Sequence, residues 1–174
     1  MVKGIGIFFV VLGHMQDIST GTRIWISSFH MPLFMFMSGY MINITKLSIS
    51  SWFDTFSKYW DRMLKMWFIA FIVFSLYQIV QMPTFRHICG MIYSPWYHLW
   101  YVPTLFGYIV ITKFLFKKNK RIVAYSILIA LYVIWTIVKA KLAPVSIPRW
   151  CDFTQMPYFA LGLFFRKIIA FLII

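Results

Sequence analysis

Lys3 and His14 stand eleven residues apart in one apolar run, Lys3-Gly-Ile-Gly-Ile-Phe-Phe-Val-Val-Leu-Gly-His14. On a helix turning about 100° per residue, eleven steps come within roughly 20° of whole turns. The two side chains therefore share a face, about 16 Å apart along the axis. Ionisable groups are costly in hydrocarbon, so two of them on one face call for a function. Such a pair suits a cationic anchor at one end and a base at the other. A neutral imidazole can take a proton from a hydroxyl or, as a relay, accept an acyl group first. Taken singly, His14 could equally be a core histidine bonded to a carbonyl. Asp17, three residues on, could orient the imidazole or be a solvated loop acid.

A second histidine follows in Ser27-Ser-Phe-His30-Met-Pro32-Leu-Phe-Met-Phe-Met-Ser38-Gly39-Tyr40. Pro32 removes a backbone donor and is expected to kink or open a helix near His30. His30, Ser38 or backbone freed by Pro32 are candidate donors to an oxyanion. The plainer alternative is a kinked packing helix whose His30 bonds a neighbour. Ser38 and Gly39 are small enough for close helix approach. Asp61-Arg62 with Lys65 offers either a positive anchor or a phosphate clamp, for which a guanidinium is well suited. His98-Leu-Trp100-Tyr101-Val-Pro103-Thr-Leu-Phe106 reads as an aromatic belt at a helix start or as part of a substrate- or donor-binding site that includes His98. His14, His30, His87 and His98 have no paired ligand spacing, so no metal site is expected. No Gly-rich phosphate loop of the Walker type occurs.

The elements that hold these residues follow from composition. The 174-residue chain is 61% hydrophobic and 12% charged, with mean hydropathy +0.78. Soluble domains run nearer to half apolar and about a quarter charged. The expected fold is all-α, a polytopic transmembrane helical bundle forming a single integral membrane domain. Six apolar stretches approach the span length of about 20 residues: 4–15, 24–42, 64–80, 98–116, 122–138 and 156–174.

Charge asymmetry orients them. With a cytoplasmic N-terminus, twelve Lys and Arg fall inside, including Lys3, Lys46, Lys58, Arg62 and the cluster Lys117-Lys118-Asn119-Lys120-Arg121. Five fall outside: Arg23, Arg86, Lys139, Lys141 and Arg149. The positive-inside rule favours that orientation. The net charge of +13 therefore reads as helix anchors and contact with an anionic bilayer, not as a nucleic-acid partner. Cys89 and Cys151 both fall in outer loops, where a disulfide is allowed but unforced.

Residues 48–61 suit an amphipathic helix lying at the interface, and 83–97 an outer re-entrant or capping segment. No repeat or flexible linker appears. The chain starts almost inside a span and ends without a polar tail, so an incomplete copy of a larger bundle is expected.

Together these blocks resemble the membrane-bound acyltransferase 3 family. The Lys3-to-His14 run is similar to its opening motif. Phe29-His30-Met-Pro-Leu-Phe…Ser-Gly-Tyr40 is similar to the second-span motif of its sugar O-acetyltransferase branch, as in fucose 4-O-acetylases. Arg62-Met-Leu, the His98 block and Tyr158-Phe-Ala-Leu-Gly-Leu-Phe-Phe-Arg166-Lys167 follow in the family's order. The resemblance implies acyl transfer, chiefly of acetyl, from acyl-CoA as co-substrate to a hydroxyl of a cell-surface or precursor carbohydrate. It implies no bound cofactor, His14 as the catalytic residue, and Lys3 at the donor site. It also implies a fold of about ten spans of membrane length in the plasma (inner) membrane. Two departures stand out: the acid that often precedes the Lys-Gly step is missing, and Lys65-Met66-Trp67 replaces a common proline. Two alternatives stay open: an inactive, truncated copy, and a proton-coupled transporter or flippase-like bundle using the same histidines as a relay.

Overall fold

The computed structural model describes residues 19–81, 90, 97–118, 121–141 and 152–172. The first expected span, with Lys3, His14 and Asp17, lies outside the described residues, as does most of 83–97.

All regular structure among the described residues is helical, as the apolar runs require. In chain order come α1 (Thr20–Met41), α2 (Ile44–Ile49) and α3 (Trp52–Tyr59). A π turn (Trp60–Leu64) then leads into α4 (Lys65–Gln81). After a 3-10 turn (Tyr97–Trp100) follow α5 (Tyr101–Lys118) and α6 (Arg121–Lys141). A second 3-10 turn (Phe153–Gln155) opens α7 (Met156–Leu172). The expected runs 24–42, 64–80, 98–116, 122–138 and 156–174 thus each correspond to a helix. The Lys117-to-Arg121 cluster falls where α5 ends and α6 begins.

Two helices are long and apolar enough to cross a membrane: Trp52–Gln81, with mean hydropathy 1.8, and Arg121–Lys141, with 2.1. The expectation was six spans. Of the others described, α7 has 17 residues, and α5 carries Lys113, Lys117 and Lys118 over its last turns. Neither offers about 20 unbroken apolar residues.

Two further expectations differ from the structure. The helix expected over 48–61 is divided. Ser50 and Ser51 are extended, with ψ of 150° and 157°, and Ser51 caps α3 by accepting from the Phe53 amide at 3.2 Å. The second half does not lie apart from the third run but continues through the π turn into α4, making one helix of 30 residues. Pro32 does not open α1, which runs unbroken from Thr20 to Met41.

The core is built on α1, α5, α6 and α7. Met35, Tyr108, Ile109, Ala124, Leu128, Met156, Phe159 and Leu163 are all buried there. Tyr108 stacks obliquely on Phe159 at 5.4 Å between ring centres and donates its hydroxyl to the Asp152 carbonyl at 2.6 Å. α1 and α7 form the closest pairing in this core, with Gly39 and Gly162 at their crossing. Arg166 of α7 then caps α1, donating to the carbonyls of Tyr40 at 3.2 Å and Met41 at 2.6 Å. A cation at a helix C-terminus satisfies orphan carbonyls and complements the dipole. α3 docks on α5 through Phe56 and Tyr59, whose rings lie 6.1 and 6.4 Å from that of Phe106.

Candidate active site

A cavity of about 420 Å³ opens where α1 ends and α2 and α3 begin. Ser38 lines it from α1, Lys46 from α2, Lys58 from α3, and Arg62 from the π turn. The acid in its wall is Asp54. Three cations against one carboxylate give its wall a net positive charge. Leu105 and Ile109 of α5 give it an apolar back wall.

Local sequence explains how the cations converge. Asp54, Lys58 and Arg62 recur every four residues, so they follow one side of a continuous helix. The π turn places Arg62 in an i→i+5 turn, a local widening that often accompanies functional sites. Lys46 reaches the same cavity from α2, which packs on α5 and is joined to α3 through the extended Ser50–Ser51 pair.

Ser38 is held firmly. Its hydroxyl lies 2.9 Å from the Tyr101 hydroxyl, which in turn donates to the Phe34 carbonyl at 3.3 Å. With the Tyr101 proton directed to Phe34, Ser38 donates to Tyr101 and presents lone pairs to the cavity. His30 lies eight residues before Ser38, about 12 Å along the helix, and does not line the cavity. It is buried, and its Nδ1–H donates to the Ile26 carbonyl one turn back at 2.7 Å. Neither side chain's described hydrogen bonds direct a proton at an oxyanion.

The structure thus brings two of the expected site residues, Ser38 and Arg62, to one cavity. His98 sits on the 3-10 turn just before Tyr101, and its side chain is outside the described residues. The turn is tied to α4 at Leu99, whose carbonyl accepts from the Trp67 indole at 2.7 Å. Lys3 and His14 lie outside the described residues. Lys46, Asp54 and Lys58 were legible only as charges near an interface. Their four-residue spacing to Arg62 was the signal for the α3 side. Nothing local pointed to Lys46. Among the described residues no group of three His, Cys, Asp or Glu could hold a metal ion.

At the far end of the bundle, Asp152 joins α6 to α7. Its carboxylate accepts from the Thr154 amide at 2.9 Å, the Thr154 hydroxyl, the Trp135 indole at 3.1 Å and Lys139 at 3.5 Å. Burial alone would raise its pKa. The Thr154 bonds, the Lys139 ammonium and the Trp135 indole outweigh burial and hold it below the ordinary value. This is a structural knot, and Asp152, Thr154, Trp135 and Lys139 do not line the cationic cavity.

A family model described as an acyltransferase domain, that of acyltransferase 3, matches residues 1–173. The chain belongs to the acyltransferase 3 family. No curated protein and no solved structure matches it. The family makes acyl transfer the general chemistry of this acyltransferase chain. The cationic cavity lies within the matched residues.

Proposed function

We propose that this acyltransferase transfers an acyl group, chiefly acetyl, from acyl-CoA to a carbohydrate hydroxyl, working as a multi-pass protein of the plasma membrane with a cytoplasmic N-terminus. The observation that carries the donor is the cavity, where Lys46, Lys58 and Arg62 meet around one acid. A CoA headgroup carries phosphates, and a guanidinium binds them through paired hydrogen bonds. The exposed apolar faces of α4 (Phe68, Ile72, Val73, Leu76, Val80) and α6 (Ile129, Val133, Ile134, Ile137) support a lipid setting. Six spans are proposed from the apolar runs of the sequence, and two helices are long and apolar enough to cross a membrane.

In this mechanism the cavity holds the phosphates, with Lys3 as a further donor anchor. The pantetheine arm then carries the thioester into the bundle. His14 takes the proton from the acceptor hydroxyl as its oxygen attacks the thioester carbonyl. The tetrahedral intermediate collapses, the C–S bond breaks, and the leaving thiolate takes the proton back from the imidazolium. The carbohydrate leaves as an ester and CoA as a free thiol. His98, on the turn that leads into Tyr101, is assigned to the substrate or donor site, and Trp67→Phe tests the substrate side.

Membranes holding the chain, given labelled acetyl-CoA and sugar acceptors, should move label to the sugar and release CoA thiol. His14→Ala should abolish both. Unchanged turnover in that variant would remove His14 from the chemistry. The proton-relay transporter reading loses one support, because α1 is continuous through Pro32.

A further inference from the structure

We propose that Lys113 is a positioning residue for the cavity: its buried ammonium clamps the α2–α3 joint and thereby sets the spacing of the cations that meet the donor's phosphates. The proposal rests on the donor reading above.

Lys113 is fully buried, although it sits near the cationic end of α5. Its Nζ donates to the Ser50 carbonyl at 2.7 Å, the Ser50 hydroxyl at 2.9 Å, the Ser51 carbonyl at 2.9 Å and the Thr55 hydroxyl. The Trp52 ring lies beneath it, 5.0 Å from Nζ to the ring centre. Every one of these partners is neutral. A buried ammonium loses its hydration, and here four oxygens and a ring face replace it. Methionine has similar length and would avoid that loss, but it could not hold two carbonyls. The feature the ammonium adds is therefore geometric.

The joint needs such a fastening. α2 has six residues, too short to be stable alone, whereas α3 is the start of the 30-residue helix that runs on into α4. They meet at two extended serines with no helical continuity between them. Lys113 gathers both serine carbonyls and the first turn of α3 onto one atom. Ser50 and Thr55 also line the cavity, so the clamp lies directly behind its wall. Lys46 lies one turn before the clamp and Lys58 one turn after it. Releasing the joint would let the two cations drift apart while leaving the reacting thioester, at the other end of the pantetheine arm, untouched.

The test uses the full chain in nanodiscs. Lys113→Met and the milder Thr55→Val should raise KM for acetyl-CoA by about tenfold and about threefold, with kcat within about twofold. KM for acetyl-pantetheine, which lacks the nucleotide phosphates, should not move. The double variant should be no worse than Lys113→Met alone. Equal effects on both donors, or none on either, would overturn the proposal. A second arm needs no activity. Spin labels at the exposed positions Thr45 and Ser57, with Cys89 and Cys151 replaced by serine, report the angle between α2 and α3. Their distance distribution should be narrow in the parent and broad in Lys113→Met. An unchanged distribution overturns the clamp whatever the donor. A broadened one with no acetyl transfer by the parent keeps the clamp and refutes the donor reading.

Discussion

Gly39 of α1 and Gly162 of α7 sit at one crossing, each against the other helix's backbone. A Cβ at Gly39 would overlap the Phe159 carbonyl, and one at Gly162 the Phe36 carbonyl. The backbones approach so closely only because both side chains are missing. Ser38, the neighbour of Gly39, is carried to the cavity by that crossing. Backbone atoms cannot swing aside as a flexible side chain can. Gly39→Ala or Gly162→Ala should therefore force the helices apart at a cost of about 1–3 kcal/mol or more. Thermal unfolding in detergent measures this. Gly107→Ala is the control, since its Cβ would meet open space, and it should unfold like the parent.

The Trp67 indole bridges α4 to the 3-10 turn bearing His98. Trp67→Phe keeps the ring that stacks on Phe71, 5.3 Å away, and removes only the donor. The Leu99 carbonyl then loses that donor, at a cost of about 1 kcal/mol. Chemical denaturation should show that loss. If His98 acts on the substrate side, the same variant should raise the acceptor's KM and leave the donor's unchanged.

Asp152 makes stability depend on pH in a predictable direction. Its folded pKa lies below the ordinary 3.8. The carboxylate therefore contributes stability above that value, and the contribution is lost as pH falls through the folded pKa. The unfolding midpoint should drop between about pH 4 and pH 2 more steeply in the parent than in Asp152→Asn, which has no such proton to bind. Lys139→Met should remove little at neutral pH, because that pair is long and half-exposed.

The helices were largely legible from the sequence and their connections were not. Apolar length bounded by Lys and Arg located α1, α4, α5, α6 and α7 to within a few residues, because hydrophobic runs and charge boundaries are local signals. Ser38-Gly39 announced a close approach, but its partner Gly162 is more than a hundred residues away and carries no local mark. Lys113 looked like one more topological anchor beside Lys117 and Lys118. Its acceptors lie 58 to 63 residues earlier, so only the fold reveals it. The amphipathic pattern over 48–61 was real, yet the Ser50–Ser51 break was hidden by two residues that also fit a helix surface. Of the site, Arg62 and Ser38 were legible as types suited to phosphate and close packing. Their shared cavity was not, because it is assembled from α1, α2, α3, the π turn and α5, which only the fold brings together.

The cavity between α1, α2 and α3 is the proposed seat of the phosphates of acyl-CoA. Titration calorimetry of the chain in nanodiscs tests it directly, with CoA and with pantetheine. CoA should bind saturably, with affinity falling as salt rises, and Arg62→Ala should weaken it by about tenfold. Pantetheine should bind parent and variant alike, and far more weakly than CoA. Equal CoA affinity in the parent and in Arg62→Ala would rule out this cavity as the phosphate site.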